Sequence, residues 1–219
     1  MPPKGLLITF EGIDGSGKTT QASRLAAALD PGRAILTKEP GGTPVGKTLR
    51  SMLLDPDLDI DPKAELLLFL ADRAQHVQTL IRPHLEAGSI VIVDRFMDAT
   101  VAYQGFGLGH PLELIESIHQ KILDGLLPDR TFLFDIDPQK ARERISRRGD
   151  QKTSVENRSE EFFQRVRNGY LQTAKEHPGR FMVIDALLPQ DEIARIILSD
   201  LQSLEYGRGQ NRNLKGKMT

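Results

Sequence analysis

Between Phe10 and Thr20 the chain reads FEGIDGSGKTT, which sets Gly12, Gly17, Lys18 and Thr19 in the pattern G-x-x-x-x-G-K-[ST]. The apolar run GLLITF leads into it from Gly5, and Leu and Ala recur at helical spacing from Thr20 to Leu29. A strand buried on both faces, a glycine loop and a helix, in that order, are the parts of a P-loop. Small residues let successive backbone N–H groups turn toward a phosphate chain, Lys18 reaches the β and γ oxygens, and the Thr19 hydroxyl ligates Mg²⁺. The segment therefore implies a bound nucleoside triphosphate. It also constrains the fold, because a buried strand followed directly by a helix belongs to a parallel α/β sheet.

The rest of the chain repeats that alternation. Further apolar runs occupy Ala34 to Thr37, Ile90 to Val93, Thr131 to Ile136 and Phe181 to Ile184. Helical periodicity spans Val45 to Leu54, Ala64 to Ala87, Leu112 to Asp124, Gln139 to Arg148, Glu160 to Ala174 and Gln190 to Leu204. The pattern predicts an α/β three-layer sandwich with a five-stranded parallel sheet flanked by helices. In such a sheet ligands gather at the carboxyl ends of the strands, where the P-loop, Glu39 and Asp94 all fall. One domain over 1–206 is expected, followed by a flexible basic tail over 207–219, where the sequence turns polar and glycine-containing.

Composition narrows the partners. With 29 Lys and Arg against 30 Asp and Glu, the chain has no global affinity for nucleic acid. There is no cysteine, which removes disulfides and thiol chemistry and agrees with a reducing compartment, the cytoplasm being the default. Neither a signal-peptide pattern nor a bilayer-length apolar stretch is present, so a soluble protein without a membrane partner is expected.

The run IVIVD ends in Asp94 and continues into Arg95, sending a carboxylate and a guanidinium out together at the end of a buried strand. Asp94 suits a Walker-B role toward Mg²⁺ and Arg95 a phosphate clamp, against the alternative of a structural Asp–Arg pair. Asp135, at the end of FLFD, competes for the Walker-B role but is followed by Asp137 and Pro138, a turn and helix start, so Asp94 is preferred. Phe69 and Arg73 lie four residues apart on one helical face, where an aromatic ring and a guanidinium could hold a nucleobase. From its position inside LLLFL alone, however, Phe69 reads as core. The stretch RISRRGDQ, with Arg144, Arg147 and Arg148, followed by Arg158, is either a solvated face or an arginine lid over 144–158 that closes on the nucleotide. His76, His84, His110, His119 and His177 show no metal-ligand spacing and are read as structural.

In order along the chain, FEGIDGSGKTTQ, KEPGGTPVGKTLRSMLL, LFLADRAQH, VDRFMDATVAYQG, FLFDIDP, FFQRVRNGYL and VIDA resemble the bacterial thymidylate kinases, a branch of the P-loop nucleoside-monophosphate kinases. The resemblance covers almost the whole chain. It implies transfer of the γ-phosphoryl of ATP to dTMP with Mg²⁺, giving dTDP and ADP, by a homodimer. It implies that Gly15, Ser16 and Thr20 join the donor cradle, that Phe69 stacks on thymine, and that Arg73 donates to O4. It further implies that Arg50 and Arg95 hold the dTMP phosphate, Thr100 and Gln104 contact the base edge, and Tyr103 crowds the sugar against a 2′-hydroxyl. Asp14 and Glu39 match acidic positions near the acceptor. Where some members carry an arginine in the P-loop this chain has Gly15, so the catalytic arginine is expected from the lid, with Arg148 first and Arg147 and Arg158 behind it. The lid departs from the common pattern in reading Asn157 before Arg158. Two cations at the acceptor suit a phosphate better than a hydroxyl, and no N-K-x-D base-reading motif of a GTPase switch is present.

Overall fold

The computed structural model describes residues 5–147 and 153–215. Five strands, β1 (Leu6–Glu11), β2 (Ala34–Lys38), β3 (Ile90–Asp94), β4 (Arg130–Asp135) and β5 (Phe181–Asp185), form one parallel sheet in the order β2-β3-β1-β4-β5. The period-2 geometry of a strand divides its apolar residues between two cores. Leu6, Ile8 and Phe10 of β1, with Ile90 and Ile92 of β3, face a cluster that contains Phe162, Val166 and Tyr170. Leu7, Val91 and Val93 face the opposite way, onto Val77, Ile81 and Leu85. Helices therefore cover both faces, and the expected three-layer sandwich is observed.

The helices are α1 (Lys18–Ala28), α2 (Pro44–Leu54), α3 (Pro62–His76), α4 (Arg82–Glu86), α5 (Met97–Thr100), α6 (Leu112–Leu123), α7 (Pro138–Ser146), α8 (Glu160–Glu176) and α9 (Gln190–Lys215). Several start on a side-chain cap that the sequence announces. Thr43, Asp61 and Asp137 each precede a proline and accept a backbone N–H two or three residues further on, and Ser159 accepts that of Phe162.

Three differences from the sequence expectation have physical causes. The helix expected across Ala64 to Ala87 is divided into α3, a π-helical turn over Val77–Ile81, and α4. Pro83 lacks an N–H and crowds the carbonyl four residues back, which favours a wider turn there. A second π-helical turn, Val101–Gly107, follows α5 where no helix is expected. Its two glycines disfavour helix locally; tertiary packing supplies what propensity lacks, for Gly105 lies beneath Leu112 of α6 and Gly107 beneath Phe162 of α8. Finally, α9 continues past 206, the expected end of the domain, to Lys215, with no proline to stop it. The lid is described at 144–147 and 153–158 only, and Arg148 lies outside the described residues. Among the described residues no helix is long and apolar enough to cross a membrane.

Register then positions the site. Phe10 pairs with Asp94, and Lys38 pairs with Asp94 from the other side, so the chain leaves β1, β3 and β2 at one level. Glu11, Arg95 and Glu39 therefore emerge side by side. The edge of this region depends on the approach of α8 to the second π turn, where Gly169 meets the ring of Phe106. A methyl at Gly169 would come within 2.6 Å of that ring. Replacement of Gly169 by Ala is expected to destabilise the fold by about 1–3 kcal/mol through overpacking, read as a melting temperature lower by several degrees in thermal denaturation; an unchanged midpoint would contradict the packing described.

Candidate active site

The glycine loop between β1 and α1 takes conformations that other residues resist: Gly12, Gly15 and Gly17 have φ of 139°, 82° and 90°. At Gly15 space matters as well, since a Cβ would lie 2.5 Å from the carbonyl oxygen of Ala141 on α7. The N-terminus of α1 has no side-chain cap. Its free N–H groups and dipole are thus open to an anion. Ser16 is buried with its hydroxyl oxygen unpartnered, Lys18 is buried 3.5 Å from Asp14, and Thr19 and Thr20 are exposed on the first turn. Burial, followed by the neighbouring Arg95, pulls the Lys18 ammonium below its ordinary range. The Thr19 hydroxyl donates to Asp94 Oδ2, while Asp94 Oδ1 is buried without a partner among the described residues. Asp135 instead forms a two-pronged pair with Arg167, at 2.6 and 2.9 Å, so of the two strand-end carboxylates Asp94 adjoins the loop.

Arg95 follows Asp94 with φ of 69°, a left-handed conformation that non-glycine residues seldom adopt. The turn is held at both ends. Arg95 N–H donates to the Phe10 carbonyl at 3.0 Å, and Phe96 N–H donates to Glu11 Oε1 at 2.7 Å. The Arg95 guanidinium then reaches Asp14 Oδ1 at 2.7 Å and the Tyr103 hydroxyl at 3.0 Å, and lies 4.7 Å above the Tyr103 ring. Burial alone would raise the Asp14 carboxyl, but Arg95 and Lys18 outweigh it and hold it well below the usual carboxylate range. Glu11 behaves in the opposite way. Burial, then the nearby charge of Asp98, pushes its carboxyl up from 4.5 to about 8.

A cavity of about 310 Å³ opens beside this turn, lined among others by Asp14, Thr19, Arg50, Phe69, Arg73 and Gln104. Phe69 is only half-buried and lines the cavity. Arg50 donates to the Pro40 carbonyl at 2.9 Å, and burial, then Arg95, lowers its pKa. Arg73 is 1 % exposed, and its fork is fixed on several sides. Nε donates to Glu39 Oε2 at 2.8 Å, Nη1 to Thr100 Oγ1 at 2.7 Å and His119 Nε2 at 2.9 Å, and Nη2 to the Phe96 carbonyl at 2.8 Å. The second oxygen of Glu39 meets His76 Nδ1 at 2.9 Å. Burial, then Arg73, holds the His119 imidazole down to about 3. It is therefore neutral near pH 7, and its Nε2 accepts.

Of the described lid arginines, Arg144 and Arg158 engage the protein itself. Arg144 donates to the Ala186 carbonyl at 2.9 Å and the Gly15 carbonyl at 3.4 Å, bracing the P-loop. Arg158 pairs with Glu65 at 2.5 Å and sits 4.8 Å from the Phe162 ring, on the acceptor side. The 153–158 segment lies over the cavity, with Thr153, Val155 and Glu156 on its wall and the Ser154 hydroxyl donating to the Leu53 carbonyl at 2.7 Å. Sequence reasoning passed over Glu11, Glu65 and Tyr170, which support the site from behind together with His119, read from the sequence as structural. His76, three residues from Arg73 in LFLADRAQH, had a local signal; the others meet their partners only through the fold.

A phosphate-binding loop and helix N-terminus that open onto a cavity lined by Phe69, Arg50 and the buried Arg73, with Arg95 at the junction, define a P-loop kinase. A family model described as thymidylate kinase matches residues 10–197. The chain is 46 % identical over 200 residues to a thymidylate kinase of Halothermothrix orenii, covering 89 % of this chain and 95 % of that one. It is 46 % identical over 192 residues to one of Deinococcus radiodurans, covering 87 % and 93 %. A crystal structure of thymidylate kinase from Ehrlichia chaffeensis superposes with a TM-score of 0.74 at 36 % identity, covering 91 % of this chain and all of that one. The chain belongs to the thymidylate kinase family.

The raised Glu11 carboxyl has a measurable signature. The native state keeps a proton that the unfolded chain releases, so this stabilisation is complete below pH 4.5 and is lost as pH rises through about 8. Glu11→Gln imitates the protonated form, accepting from Phe96 and donating to Tyr170. Its melting temperature relative to the wild type should therefore climb between about pH 5 and about pH 9; a constant difference across that range would show that Glu11 is already ionised in the native state.

Proposed function

We propose that the protein transfers the γ-phosphoryl of ATP to dTMP, giving dTDP and ADP. The observation that carries this reading is the single cavity bounded by Asp14 and Thr19 of the donor loop and by Phe69, Arg73 and Gln104 of a base-sized pocket, with Arg50 and Arg95 on its wall. dTMP would lie with its thymine against Phe69 and near Arg73, Thr100 and Gln104, and its phosphate at Arg50 and Arg95. Tyr103, pinned by Arg95 and Asp14, would fill the space beside C2′ and disfavour a ribose. ATP would lie along Gly12, Gly15, Ser16, Gly17, Lys18, Thr19 and Thr20.

In the reaction a phosphate oxygen of dTMP bonds to the γ-phosphorus as the bond from that phosphorus to the β–γ bridging oxygen breaks, and ADP leaves with the electron pair. No protein nucleophile is needed. The acceptor phosphate is already ionised near neutral pH, so the work is alignment and charge neutralisation. Lys18 and Arg95 supply fixed positive charge, and Arg148 is our choice for the lid's contribution. Asp14 keeps Arg95 aimed between the two sites, and Glu39 acts as the buried counter-ion of Arg73. The donor set suits Mg²⁺, because the unpartnered Asp94 Oδ1 and the Thr19 hydroxyl are hard oxygen ligands beside the loop. The ion would neutralise β and γ oxygens there. The acting form we propose is a homodimer, supported by Leu67 of α3 and Leu114 of α6, which are 58 % and 45 % exposed. The compartment we propose is the cytoplasm, to which a chain free of cysteine is suited.

With ATP and Mg²⁺, ATP consumption should rise in proportion to added dTMP; phosphorylation of other monophosphates but not dTMP would overturn the assignment, and slow hydrolysis indifferent to dTMP would favour a nucleotide switch. Lys18→Ala should lower kcat by about 10³-fold. Arg73→Ala should lower kcat/KM for dTMP by about 10²-fold while leaving the KM for ATP nearly unchanged; equal losses on both substrates would make Arg73 structural only. Light scattering should give twice the chain mass, shifting toward the monomer in Leu67→Glu.

A further inference from the structure

Glu65 does not line the acceptor cavity, yet it is buried directly behind it, at the start of α3. One of its oxygens, Oε1, accepts from Gln104 Nε2 at 2.9 Å. The other, Oε2, meets Arg158 Nη2 at 2.5 Å. Arg158 arrives with the 153–158 segment that crosses the cavity, and its guanidinium also covers the Phe162 ring, so the pair is partly shielded from water.

A carboxylate in an ion pair offers only acceptors. The end of the Gln104 side chain that faces it must therefore be the NH₂ group, an orientation set by chemistry as well as by distance. Gln104 is 3 % exposed and lines the cavity beside Phe69, Arg73 and Thr100. Its side-chain oxygen has no hydrogen-bond partner among the described residues. What Gln104 presents to a base is consequently an acceptor. The reverse orientation would set that oxygen against Glu65 Oε1 and strand the NH₂ group, a double penalty for buried polar atoms.

We propose that Glu65 is a specificity-positioning residue, which holds the Gln104 amide with its oxygen toward the acceptor base and so selects a base that carries an N–H at ring position 3 over one with a bare nitrogen there. This rests on the dTMP kinase reading. It also gives the site two independent tests of one base edge. Arg73 donates and requires a carbonyl; Gln104 accepts and requires the adjacent N–H. A pyrimidine with an amino group and a bare ring nitrogen fails both, whereas one that retains the carbonyl but lacks the N–H fails only the test that Glu65 sets. The arrangement is pre-set by protein contacts, so the discrimination does not depend on the amide finding its orientation after the base has bound.

The probe follows from that distinction. The 5′-monophosphate of 5-methyl-2′-deoxyisocytidine keeps the 4-carbonyl and the 5-methyl group of dTMP but has an unprotonated N3. With ATP and Mg²⁺ the wild type should prefer dTMP over this probe in kcat/KM. In Glu65→Gln the new amide can donate to the Gln104 oxygen and admit the opposite orientation, and the preference should fall by about tenfold or more. Glu65→Asp, which remains acceptor-only, should keep the preference even where the overall rate drops. Gln104→Leu should lose the preference by a similar factor, and adding Glu65→Gln to it should change nothing further. Circular dichroism establishes that each variant is folded; should Glu65→Gln fail to fold, the Gln104→Leu and Glu65→Asp ratios still decide the matter. An unchanged preference in folded Glu65→Gln or in Gln104→Leu would overturn the proposal, as would loss of the preference in Glu65→Asp. Failure of the wild type to phosphorylate dTMP at all would instead overturn the kinase reading on which it rests.

Discussion

One ion pair joins the two halves of the site. Asp14 belongs to the phosphate loop and Arg95 to the turn after β3, and they meet at 2.7 Å because the β1–β3 register brings Phe10 opposite Asp94. The left-handed backbone at Arg95 aims its side chain back across β1. That conformation carries a cost of about 1–3 kcal/mol, and its surroundings hold it in place: the Phe10 carbonyl, Glu11 and the Tyr103 ring each fix a different part of it. The phosphate loop and the cavity beside it thus share a boundary fixed by the fold, and reaction between two bound groups depends on such fixed alignment.

Behind that boundary the protein buries an unusual amount of charge and pairs nearly all of it. Arg73 and Glu39 are each about 2 % exposed at the side chain and neutralise one another, while a neutral imidazole, a hydroxyl and the Phe96 carbonyl take further donors. A buried pair of this kind adds little net stability, because desolvation offsets the attraction; its use is to fix a direction. His119 can serve as an acceptor there only because burial and the adjacent guanidinium keep it unprotonated. The same principle, run in reverse, keeps Glu11 protonated, because burial and the nearby charge of Asp98 oppose its ionisation.

Much of this was legible beforehand, and what was not has a common reason. The sheet could be read because strands buried on both faces leave unbroken apolar runs, and the phosphate loop because its chemistry is local and consecutive. Phe69 was ambiguous: LLLFL looks like core whichever side its ring faces, and only the cavity in the fold distinguishes the two. The turn bearing Tyr103 and Gln104 was invisible, since two glycines mask a helical segment that α8 stabilises by close contact. Glu11, Glu65, His119 and Tyr170 meet partners 39 to 159 residues away. No spacing rule reports such contacts.

Gly15 and α7 occupy positions that exclude each other's alternatives. With 2.5 Å between a hypothetical Cβ and the Ala141 carbonyl, no side chain fits at this point of the loop while α7 stays where it is, and α7 is the helix that leads into the lid. Loop and lid are therefore not independent modules. An arginine-bearing loop from a relative could be transplanted only together with the helix that accommodates it, so the unit inherited or engineered as a whole comprises the glycine loop, α7 and the basic segment beyond it.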